Sequence, residues 1–153
     1  MIPRESLAMG NWVTDENGMP FFIDGLFTDE VYLNFEGNEA DVWEVPYKDL
    51  QPIPLTGKIL ERMGFEKEEL SSDEMYGDDV YGPDEVWFKV LNDSVQFRIN
   101  KKKGSYEVRA WKGFLSGSIE KVQYLHTLQN FIFLASGIQL AGEDFNDNEV
   151  FKD

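Results

Sequence analysis

Residues 85–112 read EVWFKVLNDSVQFRINKKKGSYEVRAWK, and this stretch decides the fold of the chain. Apolar and polar side chains alternate in three runs, EVWFKVLN, SVQFRIN and SYEVRAWK, as they do in strands that have one buried face. Between the runs, Asn92-Asp93 and the KKKGS segment favour tight turns. The sequence therefore predicts a three-stranded antiparallel meander.

Strict alternation assigns the side chains of this meander to two faces. The predicted buried face carries Val86, Phe88, Val90, Val95, Phe97, Ile99, Tyr106, Val108 and Ala110. The predicted opposite face carries Trp87, Lys89, Gln96, Arg98, Glu107, Arg109 and Trp111. Its tryptophans and cations are the residue types with which sheets stack bases and contact phosphates. The alternative interpretation is that this face docks on an acidic part of the same chain.

A helix is predicted after the meander. Residues 118–137, SIEKVQYLHTLQNFIFLASG, repeat apolar side chains at spacings of three and four. Ser118 is the predicted start of this helix and Gly137 its predicted stop. We expect the helix to pack on the apolar face of the meander.

Four short runs that resemble strands lie within the first 55 residues: GNWVTD, MPFFI, EVYLNF and DVWEV. Asn17-Gly18 lies between the first two and suits a hairpin turn with positive φ. In EVYLNF, alternation places Val31, Leu33 and Phe35 on one face. Runs this short and closely spaced predict a small, bent β unit similar to an SH3-like barrel.

The connector DLQPIPLTGKILERMGFEK follows at residues 49–67. Its two prolines favour extended backbone and are incompatible with a central strand. Thr56 is placed as an N-cap and Gly64 as a C-terminal stop, which predicts a short helix at 57–63.

Together these elements predict an α+β fold. It consists of a small SH3-like or bent N-terminal β unit, a short connector helix, and a three-stranded antiparallel meander packed by one C-terminal helix. A chain of 153 residues fits one compact domain or two small ones that share a core. The predicted boundaries are residues 1–55 for the β unit, 56–85 for the short helix and an acidic linker, 86–142 for the meander and its helix, and 143–153 for a frayed acidic tail.

The net charge of −15 is distributed unevenly along the chain. Residues 1–60 and 61–85 each carry −8, residues 86–121 carry +5, and residues 143–153 carry −4. This balance disfavours nonspecific binding to nucleic acid or to an anionic membrane and favours a basic protein partner. The absence of cysteine excludes disulfides and thiolate metal sites. The opening MIPRESLAMGNW has no apolar signal region, so we expect an intracellular protein.

Two motifs resemble those of a known group of proteins. PIPLTGKILERMGF at 52–65 and YLHTLQNFIFLASGIQL at 124–140 are similar to the PIPLT-x-x-IL…GF connector and the Y-x-H-x-LQN-x-x-F-x-L-x-G helix of small hypothetical proteins from Bacteroidetes genomes, phages and mobile elements. The chain departs from that pattern at Gly57-Lys58, where the group more often has acids, and at Ser136 and Ile138. The resemblance implies a phage or mobile-element context in the cytoplasm of a bacterial host, and it implies no reaction.

A dense run of acids lies between the connector helix and the meander. Its functional interpretation is a surface that presents carboxylates to a basic groove, and the alternative is a solvated linker. The carboxylates of this predicted surface are Glu66, Glu68, Glu69, Asp73, Glu74, Asp78, Asp79, Asp84 and Glu85. A calcium loop is disfavoured, because placing Gly77 at its sixth position puts Pro83 where the loop needs glutamate.

His126 is the only histidine, and the predicted helix places it within reach of Gln129 and Asn130. No carboxylate on that helical face could orient it as a general base, and no further ligands are available for a metal. We therefore interpret the three residues as a structural polar cluster. The chain also lacks a phosphate-binding glycine loop and a serine nucleophile motif. No catalytic residue, metal or cofactor is predicted.

The sequence predicts a non-enzymatic, protein-binding protein. The most specific version of this prediction is an acidic inhibitor that imitates nucleic acid. Such an inhibitor would occupy the basic groove of a host protein that handles nucleic acid or acts in defence. One alternative is a structural or accessory phage protein. A second alternative is a weak nucleic-acid binder that uses one face of the meander. We call this the basic sheet face, and it consists of Trp87, Lys89, Arg98, Arg109 and Trp111.

Overall fold

A computed structural model describes residues 2–34, 42–69, 84–92, 95–112 and 115–140. The chain forms two units. The first combines Met1–Met63 with Tyr124–Asp153, and the second is Gly64–Gln123. The fold is mixed α+β, with two antiparallel sheets and two α-helices in the described residues.

The first unit contains a four-stranded antiparallel sheet in the order β1-β2-β3-β4. Its strands are β1 (Trp12–Thr14), β2 (Pro20–Leu26), β3 (Glu30–Asn34) and β4 (Trp43–Pro46). Short 3-10 helices occupy Arg4–Ser6 and Tyr47–Asp49. After the second of these the chain returns to β1, where Gln51 pairs with Thr14.

The turn between β1 and β2 lies at Asn17-Gly18, as predicted. Gly18 has a φ of +79°, a conformation that glycine adopts without steric cost. The buried carboxylate of Asp15 accepts hydrogen bonds from the backbone N–H groups of Asn17 and Met19, both at 2.9 Å. The side chain of Asp15 therefore holds the hairpin closed.

The core of the first unit follows the alternation of its strands. In β3, Val31 and Leu33 are fully buried, as predicted for that face, and Phe35 lies outside the described residues. The buried cluster consists of Ile2, Leu7, Val13, Phe21, Ile23, Val31, Leu33 and Leu50.

Helix α1 spans Gly57–Arg62 and begins and ends as the sequence predicts. The hydroxyl of Thr56 accepts a hydrogen bond from the N–H of Ile59 at 3.3 Å, which is an N-cap interaction. Gly64 follows with a φ of +90°. Ile59 and Leu60 are buried.

Helix α2 spans Leu125–Ser136, so the predicted start at Ser118 is wrong and the predicted stop at Gly137 is confirmed by its φ of +73°. Ser118 lies in a strand at Leu115–Val122 instead. The first turn of α2 is bound by the connector, because the N–H of Leu125 donates to the carbonyl of Ile53 at 2.8 Å.

The position of α2 corrects the predicted packing. The sequence grouped this helix with the meander in residues 86–142, whereas Tyr124 onward belongs to the first unit. Pro54 and Tyr124 pair in a β-bridge, and the backbone N–H of Trp12 in β1 donates to the Gln129 side chain. Polar side chains on α2 satisfy backbone groups of the first unit, a relationship that apolar periodicity does not reveal.

The second unit contains a five-stranded antiparallel sheet in the order β5-β6-β7-β8-β9. Its strands are β5 (Glu66–Glu68), β6 (Glu85–Asn92), β7 (Val95–Lys102), β8 (Ser105–Lys112) and β9 (Leu115–Val122). The three predicted strands are its centre, and one further strand lies on either side. Lys103 and Gly104 join β7 to β8 with φ values of +51° and +79°, as a two-residue hairpin with a mirror-image turn requires.

A β-bulge changes the predicted faces of this sheet. Asn92 pairs with Val95 and Val90 pairs with Gln96, so Leu91 is an additional residue in β6. One inserted residue moves every preceding side chain of the strand to the other face. Trp87 therefore shares a face with Ile99, whereas the alternation had placed it on the opposite side.

Burial agrees with the shifted register. Trp87 is 2% exposed and Val90 is 59% exposed, the reverse of the prediction, whereas Val86 is 1% exposed and buried as predicted. In β7 and β8 the predicted buried residues Val95, Phe97, Ile99, Tyr106, Val108 and Ala110 are all buried.

We predict that the two substitutions Trp87→Ala and Val90→Lys separate the shifted register from strict alternation. Trp87→Ala removes a buried aromatic side chain and should lower the free energy of unfolding by about 3–5 kcal/mol. Val90→Lys changes an exposed position and should alter the free energy of unfolding by less than about 0.5 kcal/mol. Urea denaturation measures both, and the opposite order would support strict alternation.

Candidate protein-binding surfaces

The structure describes five of the nine carboxylates of the predicted acidic surface. Glu66 and Glu68 lie on the edge strand β5, Glu69 follows it, and Asp84 and Glu85 lie where β6 begins. Asp73, Glu74, Asp78 and Asp79 lie outside the described residues.

Three of these five acids are bound within the second unit: Glu68 and Glu85 form ion pairs, and Asp84 accepts a hydrogen bond. Glu85 contacts Lys67 at 3.0 Å and Lys101 at 3.4 Å, and Glu68 contacts Arg98 at 3.2 Å. The hydrogen bond from Lys67 and the positive charge of Lys101 hold the pKa of Glu85 below its usual value, although burial opposes them.

Asp84 is bound differently. Its carboxylate accepts a hydrogen bond at 2.8 Å from the backbone N–H of Lys103 in the β7–β8 turn. Within the described part of this surface, only Glu66 and Glu69 are exposed and free of any ion pair or hydrogen bond in this structure. The described acids thus serve mainly to join β5, β6 and the β7–β8 turn.

The predicted basic sheet face is divided by the bulge. Arg98 and Arg109 pair across β7 and β8, and the guanidinium of Arg109 lies over the ring of Trp111 at 5.5 Å. Trp87 and Lys89 lie on the other face, because they pair with Ile99 and Phe97. Of the five residues predicted to form one surface, three are together, and one of those, Arg98, is bound to Glu68.

A second surface was missed by the sequence analysis. On the outer face of the first sheet, the rings of Phe27 and Tyr32 lie 4.4 Å apart between centroids, and Phe27 is 46% exposed. Three carboxylates lie on strands beside this pair, Asp24 on β2, Glu30 on β3 and Glu44 on β4. We call these five residues the Tyr32 face.

Negative charge dominates the Tyr32 face. Glu44 is the direct cross-strand neighbour of Tyr32, and its charge, together with burial, a hydrogen bond to its carboxylate and the charge of Glu30, raises the pKa of the Tyr32 hydroxyl. All three ion pairs among the described residues lie in the second unit. The carboxylates of the Tyr32 face therefore have no bound cation in the described part of the chain.

A signal for this face was present in the sequence. Since Val31 and Leu33 alternate inward, Tyr32 between them must point outward. Glu30 shares its strand, and Glu44 occupies the matching run DVWEV. What alternation could not supply was the register that places Glu44 opposite Tyr32.

Gln129 and Asn130, predicted as a polar cluster, bind backbone groups of the first unit. The side-chain oxygen of Gln129 accepts from the N–H of Trp12 at 2.9 Å, and its nitrogen donates to the carbonyls of Gly10 at 3.1 Å and Leu140 at 3.0 Å. Asn130 donates to the carbonyl of Ser6 at 2.8 Å.

Asn11 completes this network. Its side-chain nitrogen donates to the oxygen of Asn130 at 2.9 Å, and its oxygen accepts from the N–H of Ala8 at 2.8 Å. These contacts fix the segment before β1 to α2. They have a structural purpose, because each one pairs a polar group that would otherwise be unsatisfied.

His126 is 4% exposed and does not share this network. Its ring stacks on Tyr124 with centroids 6.0 Å apart, and its Nδ1 has no hydrogen-bond partner among the described residues. Burial lowers the pKa of His126 to about 4. The imidazole is therefore neutral near pH 7.

A cavity of about 270 Å³ lies beside the network. It is lined by Ala8, Met9, Asn11, Gln129, Asn130, Phe133 and Gln139. The amides of Asn11 and Gln129 in its wall are already hydrogen-bonded within the protein, so the cavity is suited to apolar contact. Met9 and Phe133 at its rim are 49% and 50% exposed.

No cluster of three or more histidine, cysteine or carboxylate side chains suited to a metal ion occurs in residues 2–34, 42–69, 84–92, 95–112 and 115–140. Over the same ranges, no helix combines the length and the apolar character needed to cross a membrane.

Comparison with protein-family models, with curated proteins and with solved structures finds no match for this chain.

We predict that Gln129→Ala destabilises the protein by about 2–4 kcal/mol, because it leaves one buried N–H and two partly buried backbone carbonyls without their partner. Gln96→Ala is the matched control, since Gln96 is exposed on β7 and should change the free energy of unfolding by less than about 0.5 kcal/mol. Chemical denaturation measures both. Equal effects would contradict the role assigned to Gln129.

We also predict that the imidazole of His126 titrates at about pH 4 in the folded protein, which NMR can follow without ambiguity because the chain has one histidine. Since an unfolded histidine titrates near pH 6.5, the unfolded chain binds more protons between these values. The contribution of His126 to stability is therefore complete above about pH 6.5 and is lost as the pH falls toward 4. A folded-state midpoint at 6.5 or higher would contradict this.

Proposed function

We propose that this chain is a non-enzymatic protein that binds a basic protein partner through uncompensated carboxylates. In the phage or mobile-element context that its motifs imply, the partner would be a host protein that handles nucleic acid or acts in defence. The observation that carries the proposal is the separation of charge pairing between the units. The ion pairs that join two described residues all lie in the second unit, and the described carboxylates of the first unit form none.

The exposed acids of the first unit are numerous. Those described are Glu5, Glu16, Asp24, Asp29, Glu44 and Glu61, with Glu30 and Asp49 half-buried. Like charges on one small unit repel each other, which lowers stability unless a cation partner is bound. Such a surface steers a basic protein toward it and gives an association that weakens with salt.

The pairing of Glu68 and Glu85 changes where we place the contact. Their cations, Arg98, Lys67 and Lys101, already compensate them within the sheet. The contact we propose therefore uses the carboxylates of the first unit. The net charge of −15 favours one form of this binding, in which the protein imitates nucleic acid and so attracts a basic partner.

The division of the basic sheet face weakens the nucleic-acid alternative. Arg109 beside Trp111 is exposed, but Trp87 is buried and Arg98 is bound to Glu68. An isolated cation and one ring offer little to a polyanion, which the remaining charge of the chain repels.

An accessory phage protein is the second candidate, and one observation favours it. Phe133 and Leu134 on α2 are 50% and 84% exposed, and Phe133 lines the cavity. Exposed apolar side chains at a recess are typical of protein contacts that do not depend on charge. Salt dependence separates this candidate from the first.

We also propose an SH3-like closure for the first unit. Its support is the pairing of Gln51 with Thr14, through which the chain joins β1 again after a 3-10 helix.

We predict that capture of a partner from a Bacteroidetes lysate is strong at about 50 mM salt, lost at about 500 mM salt and displaced by double-stranded DNA. Capture should also fall when Asp24, Glu30 and Glu44 are replaced by their amides, and mass spectrometry should identify a basic nucleic-acid-handling protein. As control, Gln96→Ala should capture normally. Capture that survives salt, DNA and neutralisation would overturn the charged mode and support the accessory role.

A further inference from the structure

We infer that the Tyr32 face is a binding site for an arginine or lysine side chain in an extended basic segment of the partner. This inference rests on the proposed function and names the site and ligand chemistry for it. The cation would lie against the rings of Phe27 and Tyr32, with Asp24, Glu30 and Glu44 around it.

The aromatic pair depends on the absence of a side chain at Gly25. A Cβ at this position would lie 2.8 Å from the ring of Phe27 and 3.4 Å from the Cβ of Tyr32. Real Cβ atoms do not approach a ring this closely, so any larger residue would displace Phe27. Gly25 therefore leaves the space in which the Phe27 ring lies, tilted by 45° to the ring of Tyr32.

The backbone at Phe27 is held in place. The hydroxyl of Tyr47 donates to the carbonyl of Phe27 at 2.5 Å, and the N–H of Phe27 donates to the carbonyl of Glu30 at 3.0 Å. Arg4 donates to the next carbonyl, that of Thr28, at 3.4 Å. A backbone held this way loses little conformational freedom on binding, which favours affinity.

An exposed aromatic ring attracts a cation through a cation–π interaction, which water cannot provide. The face of the ring carries partial negative charge and attracts ammonium and guanidinium groups within about 6 Å. Guanidinium also stacks on such rings and donates to carboxylates at the same time. Phe27 and Tyr32 provide the rings, and the carboxylates on three adjacent strands provide the acceptors.

The acids of this face form no ion pair within the sheet, although Asp24 accepts a hydrogen bond from the side chain of Asn34 at 3.5 Å and Glu44 accepts one from Tyr32. No ion pair involves Asp24, Glu30 or Glu44 in the described part of the chain. The raised pKa of Tyr32 reports the resulting negative potential, with Glu44 as its largest cause. This potential is the electrostatic complement of a cation.

An organic cation fits this face better than a metal ion does. Metal sites bring three or more ligands onto one ion, and no such group occurs in the described residues. The carboxylates here lie on the strands beside two rings, and rings attract cations that carry their charge on weakly hydrated groups. The matching chemistry is that of arginine first and lysine second.

The test uses the full-length, isotope-labelled chain and a short peptide of alternating arginine and serine. We expect amide NMR shifts at low salt to centre on Phe27, Tyr32 and Glu44. A peptide with citrulline in place of arginine keeps the shape without the charge and should not bind. Binding of the citrulline peptide with equal affinity would overturn the inference.

Matched variants then test the residues. Glu44→Gln and Phe27→Leu should each lower the affinity for the arginine peptide by about 2–5-fold, which is the effect of losing an exposed cation contact. Glu61→Gln, an exposed glutamate on α1, is the control and should leave the affinity unchanged. The dispersion of each variant's spectrum verifies that it is folded.

The outcomes distinguish this inference from the function on which it rests. Shifts that centre on Glu66 and Glu69, with no effect of Glu44→Gln, would overturn the Tyr32 face as the site and leave the charged mode of binding standing. No binding of the arginine peptide to the native chain at low salt would overturn both.

Discussion

The side-chain amide of Gln129 holds together parts of the chain that are more than a hundred residues apart. It binds backbone groups of Trp12, Gly10 and Leu140, and so fixes α2 to β1 and to the segment before it. Backbone groups at a strand start have no partner in their own sheet, and leaving them unpaired in a buried place is costly. The first unit therefore depends on one glutamine that an apolar pattern does not single out.

The same unit explains why two separate motifs occur in one chain. PIPLTGKILERMGF and YLHTLQNFIFLASGIQL meet where Pro54 pairs with Tyr124 and Ile53 accepts from Leu125. The prolines keep the connector extended, which leaves its carbonyls free to receive the first N–H groups of α2. Helix and connector are thus one structural element, although about sixty residues of the second unit lie between them in sequence.

Charge is used differently in the two units. In the second, Glu68 and Glu85 bind cations across strands β5 to β7, and the charged edge strand EKE discourages unwanted pairing with other sheets. In the first, the described carboxylates have no such partners. The acidic stretch is the densest run of carboxylates in the sequence, but carboxylates without ion pairs coincide with the exposed ring of Phe27 and the half-buried ring of Tyr32 on the Tyr32 face.

The sequence by itself determined the four strands of the first unit, the three central strands of the second, the Asn17-Gly18 turn, the cap at Thr56 and the stops at Gly64 and Gly137. Each depends on the conformational preference or short-range hydrogen bonding of a few adjacent residues. Only the tertiary structure decided which face Trp87 occupies, which unit α2 joins, and that Glu44 lies opposite Tyr32. The bulge at Leu91, the bonds of Gln129 and the β3–β4 register are choices between pairings of similar local propensity, and long-range packing selects among them.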